Sequence, residues 1–170
     1  MRFFAIFLVC VFSEFSIATA QEKAVAQKVK ISQFSGKPVP RFESLKFRAV
    51  HGRIGPSLDH PIVWKYERKG LPVLILKESQ GWRFVRDPDG DEVWVHARML
   101  TGKRTVLVQG ETELKREADD AARSVAVVQK GVVGELLACS ATWCQISADR
   151  FKGFVRRQAI WGSYTEESGL

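Results

Sequence analysis

An all-β protein of two small tandem barrels is the architecture this sequence predicts, on three observations. Runs of β-forming residues recur after position 41 at roughly eight- to twelve-residue spacing. Clusters of Gly, Pro, Asp and Ser separate the runs. The pattern then occurs a second time about 61 residues further on, as two copies of one structural unit would.

The chain has 170 residues, with 26 Lys+Arg against 19 Asp+Glu, and is 45% apolar. That composition excludes a disordered tail, and the length excludes a large two-domain enzyme. Residues 1–20 read as an export signal: Arg2 supplies the positive start, Phe3 to Phe12 is an unbroken apolar run, and Ala18-Thr19-Ala20 is a small-x-small cleavage site. Cleavage after Ala20 leaves Gln21 as the first mature residue. The apolar run is too short for a membrane span, which needs roughly 20 apolar residues, and no other stretch offers one. The mature chain keeps its net charge of +7, because Arg2 and Glu14 cancel.

Residues 21–40 lack periodicity and end in Ser35-Gly36-Lys37-Pro38-Val39-Pro40, the composition of a flexible or extended spacer, so order is expected to begin near Arg41-Phe42. Pro72 to Leu76, Trp82 to Val85 and Val93-Trp94-Val95 read as strands. Ser79-Gln80-Gly81 and Asp87-Pro88-Asp89-Gly90-Asp91 read as the turns between them. Leu114 to Arg123 reads equally as a short helix or a loop.

The repeat is explicit in the residues. Lys69-Gly70 recurs as Lys130-Gly131, and Trp82-Arg83-Phe84-Val85 as Trp143-Cys144-Gln145-Ile146. Trp94-Val95 matches Phe154-Val155 after a one-residue slip, as a turn shorter by one residue would produce. Val85 and Ile146 stay apolar while Phe84 becomes Gln145, so the first pair faces inward and Trp82 lies on the Phe84 side by alternation. Since Trp82 and Trp143 match, a shared core or rim role is expected of both. A barrel of about 60 residues is marginal alone, so the two copies are expected to pack together.

The first copy shows Arg53-Ile54-Gly55-Pro56-Ser57, Gly70, Gly81-Trp82-Arg83-Phe84-Val85, Asp89-Gly90, Trp94-Val95-His96 and Leu100. The second shows Gly131, Trp143-Cys144-Gln145-Ile146, Gly153-Phe154-Val155 and Ile160. In order, spacing and duplication these resemble the bacterial SH3-like (SH3b) family, and the layout is similar to exported tandem SH3-like proteins of Gram-negative bacteria. Two departures stand out. Val93 replaces the Gly that usually precedes the Trp in the first copy, and the second copy has Leu114-Lys115-Arg116-Glu117-Ala118 in place of R-x-G-P-S. The resemblance implies barrels of five to six strands used for attachment rather than chemistry. The expected organisation is a signal peptide over 1–20, a spacer over 21–40, SH3-like domains over 41–102 and 103–164, and a tail over 165–170.

Cys139 and Cys144 are the cysteines left after export, and a disulfide between them is expected. They stand at the repeat positions of Glu78 and Arg83. A hairpin there would be closed by sulfur in one copy and by an opposite-charge cross-strand pair in the other. Trp64 and Tyr66 occur in the first copy only, near Arg53, Asp59 and the Gly55-Pro56 loop. Arg53, Asp59, Trp64 and Tyr66 are the candidate recognition residues, with core packing of at least one aromatic as the alternative. Arg150, Lys152, Arg156 and Arg157 form a basic cluster among Phe151 and Phe154, which reads as outward strand charge rather than a nucleic-acid site.

No G-x-S-x-G, H-E-x-x-H or P-loop occurs, and no metal or cofactor site is singled out. The expectation is a periplasmic, non-enzymatic binding module for a wall peptide, a peptidoglycan component or an envelope protein. The alternative is an assembly protein acting by protein–protein association, homo-oligomers included.

Overall fold

The computed structural model describes residues 29–164. The expected signal peptide, the first part of the spacer (21–28) and the tail lie outside these residues.

Two seven-stranded antiparallel sheets, one per copy, make up most of the described chain. The first unit comprises β3 (Arg41–Leu45), β4 (Val50–Arg53), β5 (Ile62–Tyr66), β6 (Pro72–Ser79), β7 (Trp82–Arg86), β8 (Glu92–His96) and β9 (Leu100–Thr101). The second comprises β10 (Thr105–Val108), β11 (Thr112–Lys115), β12 (Ser124–Val128), β13 (Val133–Cys139), β14 (Trp143–Ala148), β15 (Phe151–Arg156) and β16 (Ile160–Trp161). The strand orders β5-β4-β8-β7-β6-β3-β9 and β12-β11-β15-β14-β13-β10-β16 correspond position for position. A 3₁₀ turn precedes the last strand of each unit, at Ala97–Met99 and Arg157–Ala159. Leu114 belongs to β11 and residues 116–123 are turns, so the loop reading of that stretch holds.

Each sheet wraps its own core. Val50, Val73, Ile75, Val85 and Val95 lead the first; Val106, Leu114, Ile146 and Val155 lead the second. Val85 and Ile146 are fully buried, as alternation requires. Burying each such side chain contributes about 1.5–3 kcal/mol, and a unit of this size has few of them. Gly70 and Gly131 occupy matching places with φ of 79° and 85°, and their N–H groups donate to Leu45 O and Val108 O. The repeated Lys-Gly pair therefore marks a left-handed turn that a side chain would strain.

The β6–β7 and β13–β14 hairpins share a bulge, at Leu76 and Leu137, and the same closing register. Glu78 faces Arg83 and Cys139 faces Cys144. Arg83 Nε lies 3.1 Å from Glu78 Oε1, and Cys139 and Cys144 form a disulfide. The next turn spans residues 87–91 in the first unit and 148–151 in the second, counted between the matched pairs Arg86–Glu92 and Ser147–Lys152. This accounts for the one-residue slip of the repeat.

Strand pairing corrects one alignment. Arg53 pairs with Trp94 and Lys115 with Phe154. R-x-G-P-S therefore corresponds to Lys115-Arg116-Glu117-Ala118-Asp119, one residue later than sequence comparison places it. Residues 54–61 and 116–123 are turns of equal length, closed alike by Ile54 N–H to Pro61 O and Arg116 N–H to Arg123 O. Leu58 and Asp120 are thus counterparts.

The spacer expectation also needs correction. β1 (Lys30–Ile31) pairs with β2 (Pro38–Val39) in a hairpin ahead of the first unit. Ser32 Oγ and Ser35 Oγ donate to Glu78 at 2.5 and 3.0 Å, and Arg41 Nη1 approaches the same carboxylate at 2.6 Å. Glu78, whose side chain is 1% exposed, thus pins the hairpin, although its residues lack any periodic signal of their own.

The units meet through β3, β6 and β10. Ser44 Oγ lies 2.6 Å from Thr105 Oγ1, which also donates to Gly70 O at 2.6 Å. The Tyr164 hydroxyl accepts the Phe42 N–H at 2.6 Å, and the Phe42 ring sits edge-on to Trp161. The Arg104 guanidinium covers both the Phe42 and Tyr164 rings.

Candidate functional site

The R-x-G-P-S loop is built around Arg53. Its Nη1 donates to Leu58 O at 3.0 Å and to His60 O at 2.5 Å, tying the loop back onto β4. Gly55 leaves room for the His60 ring, which a Cβ there would strike. Asp59 stays local: its carboxylate accepts from Ser57 Oγ at 3.1 Å, and its N–H donates to the same hydroxyl.

Between this loop and the β7–β8 face lies an open cleft of about 340 Å³, lined by Ala49, His51, Arg53, Leu58, Trp82, His96, Arg98 and Met99. Strand alternation puts these side chains together. Val50, Val93 and Val95 point into the core, so His51 and His96 point outward, and Trp82 pairs with His96 across β7 and β8. The Trp82 and His96 rings meet edge to face at 5.1 Å. His96 Nδ1 accepts the Arg98 N–H at 3.2 Å, which assigns the proton of the neutral ring to Nε2. The cleft thus combines an aromatic floor, two imidazoles and two guanidinium groups, and none of the described residues lining it is a carboxylate.

The four residues singled out in the sequence divide between two faces. Arg53 lines the cleft and Asp59 shapes the loop beside it. Trp64 and Tyr66 share a face, with ring centroids 6.3 Å apart. It is the side opposite His51 and Lys65, because Gly52 and Val50 are their strand partners. Tyr66 is 4% exposed and belongs to the core, so the packing alternative applies to it; Trp64 is 42% exposed at the rim. The Tyr66 hydroxyl lies 3.3 Å from Asp87 Oδ2. Burial, reinforced by the Asp87 charge, pushes the phenol far above its ordinary range. Sequence reasoning missed His51, Leu58, His96 and Arg98, which only the pairing of three strands brings together.

In the second unit the corresponding place is also an open cleft, of about 600 Å³, lined by Asp120, Ala141, Thr142, Arg156, Arg157 and Gln158. Arg156, the counterpart of His96, lies with its guanidinium 4.3 Å from the Trp143 ring centroid, a cation–π arrangement. Its Nε donates to Asp120 Oδ1 at 3.0 Å, and its Nη2 reaches Oδ2.

The chain matches the model of the bacterial SH3 domain twice, over residues 49–102 and 109–162. These matches cover more than half of the chain, and it belongs to that family. Bacterial SH3 domains are generally binding modules, and two in tandem point to a binding module here. No curated protein matches the chain. Two solved structures from Trichomonas vaginalis are distantly similar. NlpC2 is 15% identical, covering 76% of this chain and 51% of that one, with a TM-score of 0.36. NlpC1 is 16% identical, covering 83% of this chain and 51% of that one, also with a TM-score of 0.36. The alignments thus span about half the length of either protein. Among the described residues no helix is long and apolar enough to cross a membrane. The disulfide is compatible with an extracytoplasmic location.

Proposed function

We propose that the chain is an exported, periplasmic, non-enzymatic binding module whose first SH3 unit holds a wall peptide, a peptidoglycan component or a segment of an envelope protein. The observation that carries this reading is the difference between the two copies. The first has a cleft walled by His51, Arg53, His96 and Arg98 beside Trp82, while in the matching cleft of the second Arg156 lies over Trp143 and is already paired with Asp120. Recognition residues are therefore Arg53, His51, His96 and Arg98 around Trp82, with Asp59 holding the loop tip. Trp64, backed by Tyr66, offers a separate aromatic rim.

Titration with soluble wall muropeptides and with envelope extract tests this, comparing wild type, Arg98→Ala and Trp64→Ala. Loss of binding in Arg98→Ala with retention in Trp64→Ala supports the cleft. The reverse result transfers the site to the rim, and unchanged binding in both removes the assignment.

One observation favours a second reading, association between chains. β5 is an edge strand, and Ile62, Val63 and Trp64 on it are exposed. Such an edge is a template for strand pairing. A mass that rises with protein concentration and falls in a Val63→Lys variant would establish it.

A further inference from the structure

We propose, building on the cleft as the binding site, that the group it recognises is a carboxylate, seated in the first unit where Asp120 sits in the second. The two units supply the comparison. Leu58 and Asp120 hold the same position in loops of equal length, and His96 and Arg156 the same position at the ends of β8 and β15. In the second unit the Asp120 carboxylate meets the Arg156 guanidinium, which in turn covers the Trp143 ring. That unit therefore carries its own acid against its own cation.

The first unit keeps the cationic wall and lacks the acid. Leu58 is 72% exposed, and the polar side chains lining the cleft are His51, Arg53, His96 and Arg98. The nearest acid in sequence, Asp59, is turned to Ser57 and does not line the cleft. His96 presents Nε2–H, since its Nδ1 is occupied by the Arg98 N–H. With Arg53 held by the Leu58 and His60 carbonyls, the His96 Nε2–H and the Arg98 guanidinium beside the Trp82 floor fit an anionic oxygen pair on a short apolar stem. Charge-assisted bonds of this kind are stronger than neutral ones. A peptide ending in a free carboxylate has that chemistry.

The test is an NMR titration of the full protein at low salt with acetyl-Ala-Ala-Ala carrying a free C-terminal carboxylate, and with the same peptide as its amide. The acid is expected to shift the Trp82 indole and the His51 and His96 rings saturably, and the amide to bind about tenfold more weakly. Leu58→Asp, an exposed change that installs an internal acid, should weaken binding of the acid about tenfold, and Leu58→Asn by less than about threefold. No saturable response to the acid, equal response to acid and amide, or equal effects of Leu58→Asp and Leu58→Asn would each overturn the carboxylate assignment. Muropeptides that bind equally well after amidation of their carboxylates would overturn it while leaving the cleft as the site. Muropeptide binding unaffected by Arg98→Ala would instead remove the cleft.

Discussion

Val93 occupies the space that Gly52 leaves open: a Cβ on Gly52 would come within 2.7 Å of Val93 Cγ2. In the second unit the sizes are exchanged. Leu114 stands at the Gly52 position and Gly153 at the Val93 position, and a Cβ on Gly153 would come within 2.8 Å of Leu114 Cγ. The departure of Val93 from the G-W-V pattern is thus balanced across the sheet. Gly52→Ala is expected to destabilise by about 1–3 kcal/mol through overpacking. Val93→Ala in the same chain should recover part of that loss, with a coupling energy on the order of 1 kcal/mol. Urea denaturation of the two single variants and the double variant measures the cycle, and additive effects would refute the compensation.

Glu78 makes the first unit sensitive to acid. Burial alone would raise its carboxyl, but hydrogen bonds from Ser32, Ser35 and Arg41, with the Arg41 charge, outweigh it and hold the group below the usual carboxylate range. The unfolded chain therefore takes up this proton first as pH falls. The stability the ion cluster contributes is present above the ordinary value of 4.5 and is lost as pH drops through the lower folded value. Glu78→Gln should cost about 3 kcal/mol near neutrality, by leaving Arg83 without its anion and Arg41 with Glu43 alone. The gap between variant and wild-type urea midpoints should narrow toward pH 3.

Tyr66 gives the opposite dependence at the alkaline end. Its phenol ionises far more readily in the unfolded chain than beside Asp87 in the core. Stability is therefore retained up to the ordinary Tyr value of 10.0 and falls as pH rises above it. Thermal midpoints of wild type should drop between pH 8 and pH 11, and Tyr66→Phe should remove the part due to this residue. An identical drop in the variant would assign the effect elsewhere.

The Ser44–Thr105 contact joins the two cores across the short 102–104 connection. Thr105→Val leaves Ser44 and Gly70 O short of a buried partner, at an expected cost of about 1–3 kcal/mol. Combined with Phe42→Ala, it should split one calorimetric transition into two. A single transition at an unchanged midpoint would show that the units unfold independently of these contacts.

Much of the architecture was legible because the chain states it twice. Matched Trp82 and Trp143, the Lys-Gly pairs and the inward Val85 and Ile146 fix strands, turns and faces. Placing Cys139 and Cys144 over Glu78 and Arg83 anticipated both hairpin closures. What the repeat does not contain stayed hidden. The 30–39 hairpin is ordered by a carboxylate more than forty residues away. The cleft draws on positions 51, 58, 82, 96 and 98, which are scattered in sequence and converge only through strand pairing. The Leu58–Asp120 correspondence was masked because the connection between Tyr66 and Gly70 is one residue longer than that between Val128 and Gly131, so an alignment anchored on the Lys-Gly pairs runs one residue off in the strands before it. Trp64 and Tyr66 do lie on one side of β5, but alternation alone does not say which side is core.

Because the β6–β7 hairpin is fastened by Glu78 and its cations, while sulfur fastens only its sister, the first unit needs no oxidation step to mature. A freshly synthesised chain with both thiols still reduced already has that half complete, and an encounter with reductant later would spare it.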